Sequence, residues 1–428
     1  MYRMAERSTP DPIVIIGGGL TGGNAAVTLR DEGFPGPVVL IGAEPGFPFG
    51  RPPLSKTYLR SEEKLDDWYV RPAGWYDDHE IECRHGAVVA AVDPAAHTVR
   101  LDSGEELGYG QVLIATGGRN RRLTVPGAGL PGLYSLRTVA ECDAIKREAM
   151  PGRHAVVVGS GFIGCEIAAS LTQLGVRVTV VFPGQVPLER VLGGQVGALI
   201  SAFHQANGVD LRPGEQVTAF EGAERVEAVV TASGHRFACD FAVAGVGITP
   251  SFPSVAVEQQ NGILTDELCR TSAPDVYAAG DVANQLHPLF GRARVEHYNN
   301  AEKHGRAAAR SMLGSTDPYD YLYTFWSDQY EHKLEYVGHV EKWDDFVVRG
   351  SLAEAKLIGF YLVDGVVRAA VGLDRGGDPE LDLDGEMAAC ARLVAAGARP
   401  APAVLADDRT DLWSLLPPPM VTPIAAPS

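Results

Sequence analysis

The chain has 428 residues, 45% of them hydrophobic, and a formal net charge of -17 at pH 7. This length is enough for about two to four domains, each with its own core. The strong negative charge disfavours binding to nucleic acid or to an anionic membrane surface. No apolar run is long enough to span a membrane, and the polar start lacks the apolar core of a signal peptide, so we expect a cytoplasmic protein.

Taken in chain order, the apolar segments and the turns between them repeat one design. An apolar strand, a glycine-rich turn, a helix and a second strand occur over residues 13–41 and again over 155–182. A further apolar strand is predicted over 112–115. Short buried strands that alternate with helices are typical of parallel α/β sheets, so we predict two doubly wound, Rossmann-like dinucleotide-binding domains.

The first glycine turn contains Gly17, Gly19 and Gly22 in a GxGxxG motif between a strand and its helix. In this setting the first glycine allows a tight turn, the second lets a pyrophosphate approach the backbone, and the third lets the helix pack closely. An acid just past the second strand commonly binds a ribose hydroxyl, and Glu44 is the candidate. The alternative for Glu44 is an exposed loop carboxylate.

The second glycine turn, with Gly159, Gly161 and Gly164, predicts a second dinucleotide site. A duplicated fold that has lost one ligand is the alternative. The following strand ends at Phe182, where an acid would select NAD, and the nearest following arginine that could select NADP is Arg190. The sequence therefore predicts a nicotinamide coenzyme without indicating whether it is NADH or NADPH.

The last quarter of the chain has a different texture. Aromatic, alternating segments at 335–340, 345–348 and 357–363 predict strands, and a helix is predicted near 386–396. This pattern indicates a small α+β domain. Alanine and proline dominate after Arg399, and we predict that residues 417–428 are disordered.

The six cysteines are scattered along the chain, without a CxxC or CxxxxC spacing. Such spacings are typical of dithiol redox centres, zinc sites and iron–sulfur clusters. We therefore expect no metal site in this chain and no redox role for its own thiols.

Several motifs taken together resemble a known family, the FAD-dependent ferredoxin and rubredoxin reductases that serve cytochrome P450s and Rieske oxygenases. The glycine turns, ATG at 115–117 and AGD at 279–281 also resemble the wider glutathione-reductase-like class. RPPLSK at 51–56 and FWSDQ at 325–329 are more specific, and are shared with apoptosis-inducing-factor-like relatives. EHYNNA at 296–301 adds to the likeness, which runs from about residue 12 to 416.

The resemblance implies a domain order and an activity. It implies an FAD-binding domain of two segments, 12–119 and 246–327, an inserted NAD(P)-binding domain over 120–245, and a C-terminal α+β domain over 328–416. It also implies hydride transfer from NAD(P)H to flavin N5, followed by release of single electrons to a ferredoxin. A stand-alone NAD(P)H oxidase or small-acceptor reductase, and a nucleotide-sensing scaffold without turnover, remain as alternatives.

The predicted cofactor contacts follow from the motifs and from the resemblance. The predicted FAD contacts are Gly17, Gly19, Leu20, Thr21, Gly22, Glu44, Arg51, Lys56, Val88, Ala115, Thr116, Gly117, Arg137, Gly280, Asp281 and Tyr298. The predicted NAD(P) contacts are Gly159, Gly161, Phe162, Ile163, Gly164, Glu166, Gly245, Val246 and Gly247. By resemblance, Asp281 contacts the ribityl chain; a helix N-cap is the alternative for this residue.

Lys56, Glu166 and Trp326 are the predicted catalytic residues. A fixed ammonium at Lys56 would favour the reduced flavin, and Glu166 would pair with that lysine before charge develops. The resemblance places Trp326 beside the isoalloxazine. The alternatives are a solvated loop lysine, a helix-start acid and a core aromatic. A basic stretch at 292–310 is a candidate docking patch for an acidic ferredoxin, or simply a solvated helix face.

Overall fold

The protein is described here by a computed structural model, which covers residues 10–417. Within this range the chain forms two compact units, one of residues 10–189 and 196–321 and the other of 190–195 and 322–417. Of the tail predicted to be disordered, residues 418–428 lie outside the described part of the chain.

The first unit begins with a five-stranded parallel sheet. In spatial order its strands are Val276–Ala278, Gln111–Ile114, Ile13–Ile16, Val38–Gly42 and Ile81–His85. All four residues of the central strand are buried, as expected for a parallel strand that is covered on both faces. Helix Leu20–Asp31 lies on one face against helix Tyr298–Met312. Their close approach requires a glycine, because a Cβ at Gly305 would lie 2.2 Å from the Thr21 carbonyl oxygen.

A second five-stranded parallel sheet lies in the same unit. In spatial order its strands are Asp210–Pro213, Arg177–Phe182, His154–Val158, Phe241–Ala244 and Leu133–Ser135. Helix Phe162–Gln173 follows the central strand, and an antiparallel sheet packs valines and a phenylalanine on the face that Val156, Val158 and Val181 share. The strands of this antiparallel sheet are Val217–Glu221, Ala228–Thr231 and Arg236–Ala238.

Smaller elements complete the first unit. Strand Gly118–Asn120 pairs with Ile248–Pro250, so the chain passes between the two parallel sheets twice, side by side. Two further small sheets contain strands Val89–Asp93, Thr98–Leu101, Glu106–Gly108 and Ser254–Val255, and strands Ile263–Thr265, Ala283–His287 and Gly291–Ala293. The remaining helices are Ala73–Asp78, Val139–Glu148 and Glu189–Ala206, with 3-10 turns at Pro52–Ser55, Leu65–Trp68 and Gly280–Val282.

The second unit is a five-stranded antiparallel sheet with helices. In spatial order the strands are Thr324–Gln329, His332–Gly338, Val366–Leu373, Lys356–Val363 and Asp345–Ser351. The helices are Glu386–Ala395 and Pro402–Ala406, with a 3-10 turn at Leu412–Leu415. Residues 190–195 join this unit, and Tyr361 Oη donates a 3.0 Å hydrogen bond to the Leu192 carbonyl oxygen.

The strand predicted over 335–340 has different bounds in the structure. The observed strand begins earlier, at His332, because Tyr330 takes a left-handed φ of 56° and closes a tight hairpin after FWSDQ. It ends at Gly338, whose φ is 91°. The predicted strand 112–115 lies one residue earlier, at Gln111–Ile114.

Candidate functional site

The first glycine turn packs against the ATG segment. A Cβ at Gly17 would lie 2.3 Å from the Ala115 carbonyl oxygen, and one at Gly22 would lie 1.9 Å from the Gly17 carbonyl oxygen. Both positions therefore need glycine for packing alone. A Cβ at Gly19, by contrast, would meet no atom within 4 Å. The backbone at Gly19 is open to an approaching ligand, as a pyrophosphate site requires.

The ATG segment and the AGD turn meet at the start of the first helix. A Cβ at Gly280 would lie 2.3 Å from Thr21 Oγ1, and Gly280 has a left-handed φ of 76°. Thr116 Oγ1 is buried without a hydrogen-bond partner among the described residues. A buried hydroxyl normally has a partner, so this atom is available to a ligand that lies along the turn.

Four predicted FAD contacts form one polar chain although they are far apart in sequence. Arg51 forms an ion pair with Glu44 and donates to the Arg137 carbonyl oxygen. Arg137 Nη2 in turn donates to Asp281 Oδ2 at 2.8 Å. The Arg137 guanidinium and the Asp281 carboxylate both lie within 4.0 Å of where a Cβ on Gly117 would stand. These four polar side chains therefore line the edge of the ATG segment.

The position of Arg137 depends on a cap that precedes helix Val139–Glu148. Glu141 Oε2 accepts hydrogen bonds from the backbone N–H groups of Arg137 and Thr138, at 2.8 and 2.9 Å. Thr138 caps the helix in return, by accepting from the Glu141 N–H. The spacing T-x-x-E is a capping box, and it was a signal in the sequence for this structural support.

Three further predicted FAD contacts are an exposed valine, an aromatic residue and the first residue of a helix. Val88 is 44% exposed, which is unusual for valine, and it follows Ala87, whose N–H donates to the Gly42 carbonyl oxygen at the end of strand Val38–Gly42. The ring of Tyr298 lies against Gly50, where a Cβ would come within 2.6 Å of it. Leu20 is the first residue of helix Leu20–Asp31.

The second glycine turn repeats the packing of the first. A Cβ at Gly159 would lie 2.5 Å from the Gly245 carbonyl oxygen, and one at Gly164 would lie 2.2 Å from the Gly159 carbonyl oxygen. A Cβ at Gly161 would meet no atom within 4 Å. The segment of Gly245, Val246 and Gly247 thus packs against the second glycine turn as the ATG segment packs against the first. Phe162 and Ile163 open the helix, and Ile163 is 44% exposed.

Lys56 and Glu166 form an ion pair between two predicted domains. Lys56 Nζ lies 2.6 Å from Glu166 Oε2, and the side chains are 13% and 5% exposed. Ser55 Oγ donates to the same carboxylate oxygen at 2.6 Å. Glu166 lies on the helix that begins at the second glycine turn, whereas Ser55 and Lys56 belong to RPPLSK. The pair therefore connects this loop to the second nucleotide fold.

Trp326 lies in the second unit, on strand Thr324–Gln329, where it pairs with Glu335 of the next strand. Burial, together with the nearby carboxylates of Asp378 and Asp328, raises the pKa of Glu335 to about 8. Asp378 belongs to the loop before helix Glu386–Ala395, and from that loop Glu380 accepts a 2.8 Å hydrogen bond from Thr324 Oγ1. The strand that carries Trp326 is therefore bordered by acids.

With this geometry established, comparison with known proteins identifies the family. A family model for pyridine nucleotide-disulphide oxidoreductases matches residues 11–305, and a model for the reductase C-terminal domain matches 324–416. The chain belongs to the pyridine nucleotide-disulphide oxidoreductase family. This finding confirms the fold class and the resemblance inferred from the motifs, and it confirms an oxidoreductase that uses FAD and NAD(P)H.

Relatives within this family match between 79% and 95% of the chain. A ferredoxin–NAD(+) reductase component of the anthranilate 1,2-dioxygenase system from Burkholderia cepacia is 37% identical over 95% of this chain and 99% of its own. Rhodocoxin reductase of Rhodococcus erythropolis is 39% identical over 79% and 81%. The structure of putidaredoxin reductase in covalent complex with putidaredoxin has a TM-score of 0.88 at 32% identity, covering 95% and 98%.

The residues at the first glycine turn fit the FAD that the family uses. The open backbone at Gly19, the buried hydroxyl of Thr116 and the exposed Val88 lie along one edge of the first parallel sheet. Asp281 and Arg137 supply polar groups beside Gly117. These residues would hold the pyrophosphate, ribose and ribityl parts of such a cofactor.

One residue beside the AGD turn that the sequence analysis missed is His304. Its Nδ1 accepts a 3.1 Å hydrogen bond from the Gly280 N–H, and its ring stacks on Tyr319 at 4.5 Å. Burial lowers the pKa of His304 to about 3, so the ring stays neutral and can accept. His304 thus holds the AGD turn through the hydrogen bond to the Gly280 N–H. No local motif in the sequence indicated this contact.

The basic stretch 292–310 is largely paired within the protein. Arg294 is bonded to Glu296 and its side chain is 8% exposed, while Arg306 and Arg310 pair with Glu302 and Glu32. Glu296 and Glu302 belong to the stretch itself and Glu32 lies outside it, so these pairs compensate part of the positive charge. The docking patch stays a prediction.

In residues 10–417 no group of three or more histidine, cysteine or acidic side chains is placed to hold a metal ion. No helix in the same range is long and apolar enough to cross a membrane.

Proposed function

We propose that this protein is an FAD-dependent NAD(P)H:ferredoxin reductase of an oxygenase system. It takes a hydride from NAD(P)H and passes electrons singly to a ferredoxin that serves a P450 or a Rieske-type oxygenase. The relative from Burkholderia cepacia is a reductase component of a dioxygenase system, and putidaredoxin reductase was solved in covalent complex with putidaredoxin. We place the protein in the cytoplasm.

The observation that carries this proposal is the buried ion pair between Lys56 and Glu166. Burying two charges costs free energy, and well-packed apolar residues would often be equally or more stable, so the pair suggests a functional demand. It connects RPPLSK, in the domain with the first glycine turn, to the helix that begins at the second turn. A charged group between two dinucleotide folds is well placed to act on charge that develops during electron transfer.

The chain's own residues bind, orient and stabilise. Bound FAD supplies the chemistry, because a flavin accepts two electrons as a hydride and can release them one at a time. Ser55 Oγ and Lys56 Nζ both donate to Glu166 Oε2, which orients the ammonium. Negative charge that develops beside Lys56 would draw the ammonium away from Glu166 and be stabilised by it. We propose that Trp326 contacts the isoalloxazine ring of the flavin.

The test is a pair of assays on the purified protein. NADH should bleach the flavin under anaerobic conditions, and the reduction of cytochrome c by NADH should depend on added ferredoxin, tested with purified [2Fe–2S] and [3Fe–4S] ferredoxins. Omitting the ferredoxin is the control. Fast oxygen consumption with no stimulation by any ferredoxin would instead support a stand-alone oxidase, and a flavin that NADH and NADPH do not bleach would refute the reductase.

A further inference from the structure

The end of strand Arg177–Phe182, where a dinucleotide fold usually reads the adenosine ribose, has no acid. Phe182 is the last residue of this strand and is 2% exposed. Its side chain belongs to the core cluster that also contains Val178 and Val180. It therefore points into the protein and makes no contribution at the edge of the sheet. Either another residue contacts the ribose hydroxyls, or no side chain does.

Glu215 is close to the strand end but is already engaged. Its backbone N–H donates to the Phe182 carbonyl oxygen at 2.9 Å. Its carboxylate, however, accepts hydrogen bonds from Ser233 Oγ at 2.5 Å and from His235 Nδ1 at 2.6 Å. Both donors lie beside the antiparallel sheet that covers one face of the second parallel sheet, so both oxygens of this carboxylate are already bonded there.

Glu189 has the placement that Glu215 lacks. Its Oε2 accepts a 3.0 Å hydrogen bond from the Gln185 N–H, and it lies 3.0 Å from where a Cβ on Gly184 would stand. Gly184 is two residues beyond the end of the strand. In residues 10–417, Glu189 Oε1 has no hydrogen-bond partner.

The loop that carries Glu189 is tied to the second glycine turn. The Leu188 N–H donates to the Ser160 carbonyl oxygen at 3.0 Å, and Ser160 lies between Gly159 and Gly161. Leu188 itself has a left-handed φ of 58°, which turns the chain sharply into the helix. The carboxylate of Glu189 is thus held between the strand end and the glycine turn, on the side where the ribose of a bound dinucleotide lies.

We propose that Glu189 replaces the missing strand-end acid and makes the protein selective for NADH over NADPH. The proposal rests on the proposed binding of NAD(P)H at the second glycine turn. One carboxylate oxygen stays with Gln185, while the other accepts a hydrogen bond from the ribose 2′-hydroxyl. The same negative charge repels the 2′-phosphate of NADPH, so the residue acts by attraction and by repulsion.

The test variant is Glu189→Gln. Its amide oxygen can still accept from the Gln185 N–H, so the loop should keep its conformation while the charge is lost. Phe182→Glu would be a poor test, because it would place a carboxylate in the core. The matched control is Glu224→Gln, which removes one charge from an exposed turn of the same domain.

Binding of adenosine fragments tests the proposal without any flavin reaction. Calorimetry should show that the wild type binds 5′-AMP more tightly than 2′,5′-ADP. Glu189→Gln should shift the ratio of the two dissociation constants toward 2′,5′-ADP by about tenfold, or about 1.4 kcal/mol. Glu224→Gln should leave the ratio within about twofold of the wild type, since it lies away from the site.

Steady-state kinetics with ferricyanide as acceptor provide the second measurement. The ratio of kcat/KM for NADH to that for NADPH should fall by about tenfold in Glu189→Gln. A fragment ratio that Glu189→Gln leaves unchanged, or that Glu224→Gln shifts equally, would overturn the proposal. A wild type that prefers 2′,5′-ADP would overturn it too. Failure of the proposed function looks different: neither NADH nor NADPH would then reduce the flavin.

Discussion

Glu166→Gln removes the carboxylate that accepts from both Lys56 Nζ and Ser55 Oγ. The Lys56 side chain is 13% exposed, so its ammonium loses its counter-charge where little water can replace it. Breaking a buried ion pair by removing one partner costs about 3 to 5 kcal/mol, whereas replacing both partners with neutral groups is often close to neutral. We therefore expect Glu166→Gln and Lys56→Met each to lower stability by about this amount, and the double variant to regain most of it.

The same variants separate stability from reactivity. Without the Lys56 ammonium, reduction of the flavin by NADH should slow by about 10- to 100-fold, which corresponds to about 1.4 to 2.7 kcal/mol in the barrier. The double variant should regain stability but not this rate. Urea unfolding measures the free energy of unfolding, and anaerobic stopped-flow absorbance measures the rate of flavin reduction.

Arg153→Met is the matched control. It breaks the Arg153–Glu148 ion pair, whose charged atoms are 2.6 Å apart. This pair lies at the end of the second parallel sheet opposite to the glycine turn. It should lower stability without slowing reduction. A double variant that reduces its flavin at the wild-type rate would refute the catalytic role of Lys56 and leave the pair with a structural one.

Three further results are expected. Gly19→Ala and Gly161→Ala should both fold, since a Cβ at either position meets no atom within 4 Å. Absorbance should show that only Gly19→Ala loses FAD, while Gly161→Ala should raise the KM for NADH. Equal loss of FAD in both variants would contradict the assignment of the two turns. His304→Leu leaves the Gly280 N–H without its acceptor and should weaken FAD binding by about 1 to 3 kcal/mol, while His304→Asn should retain more affinity; equal dissociation constants would contradict this role. Glu335 ionises near 4.5 when unfolded and near 8 when folded, so between these values the folded state binds more protons and stability should fall as pH rises. Glu335→Gln should flatten the pH profile of the melting midpoint, and a variant profile as steep as the wild type's would exclude Glu335 as the cause.

The two nucleotide folds could be read from the sequence because their requirements are local. Gly17 and Gly159 have left-handed φ values of 123° and 103°, and Gly22 and Gly164 have no room for a side chain. Only glycine satisfies these constraints, and the apolar strand and helix on either side are equally local patterns. The same holds for the cap at Thr138 and Glu141, where three residues of spacing are enough.

The charged partners of the site depended on the tertiary structure. Arg137 and Asp281 are 144 positions apart in the sequence, and they meet because the chain crosses twice between the two parallel sheets. The pairing of Lys56 with Glu166 was expected by resemblance alone, and its 2.6 Å distance follows from how the RPPLSK loop packs on the second fold. Within the basic stretch 292–310, the partner of Arg310 is Glu32, which is remote in sequence and could not be found from local spacing.

The sequence by itself determined where two dinucleotides can approach the backbone, because a glycine turn between a strand and a helix encodes that geometry within a few residues. Which side chains read those dinucleotides was decided only by the tertiary structure. Phe182 stands at the expected position in sequence but points into the core, while Glu189 reaches the same edge from seven residues later. The direction of a side chain at a strand end depends on the layers packed above and below it, and no spacing along the chain encodes that packing.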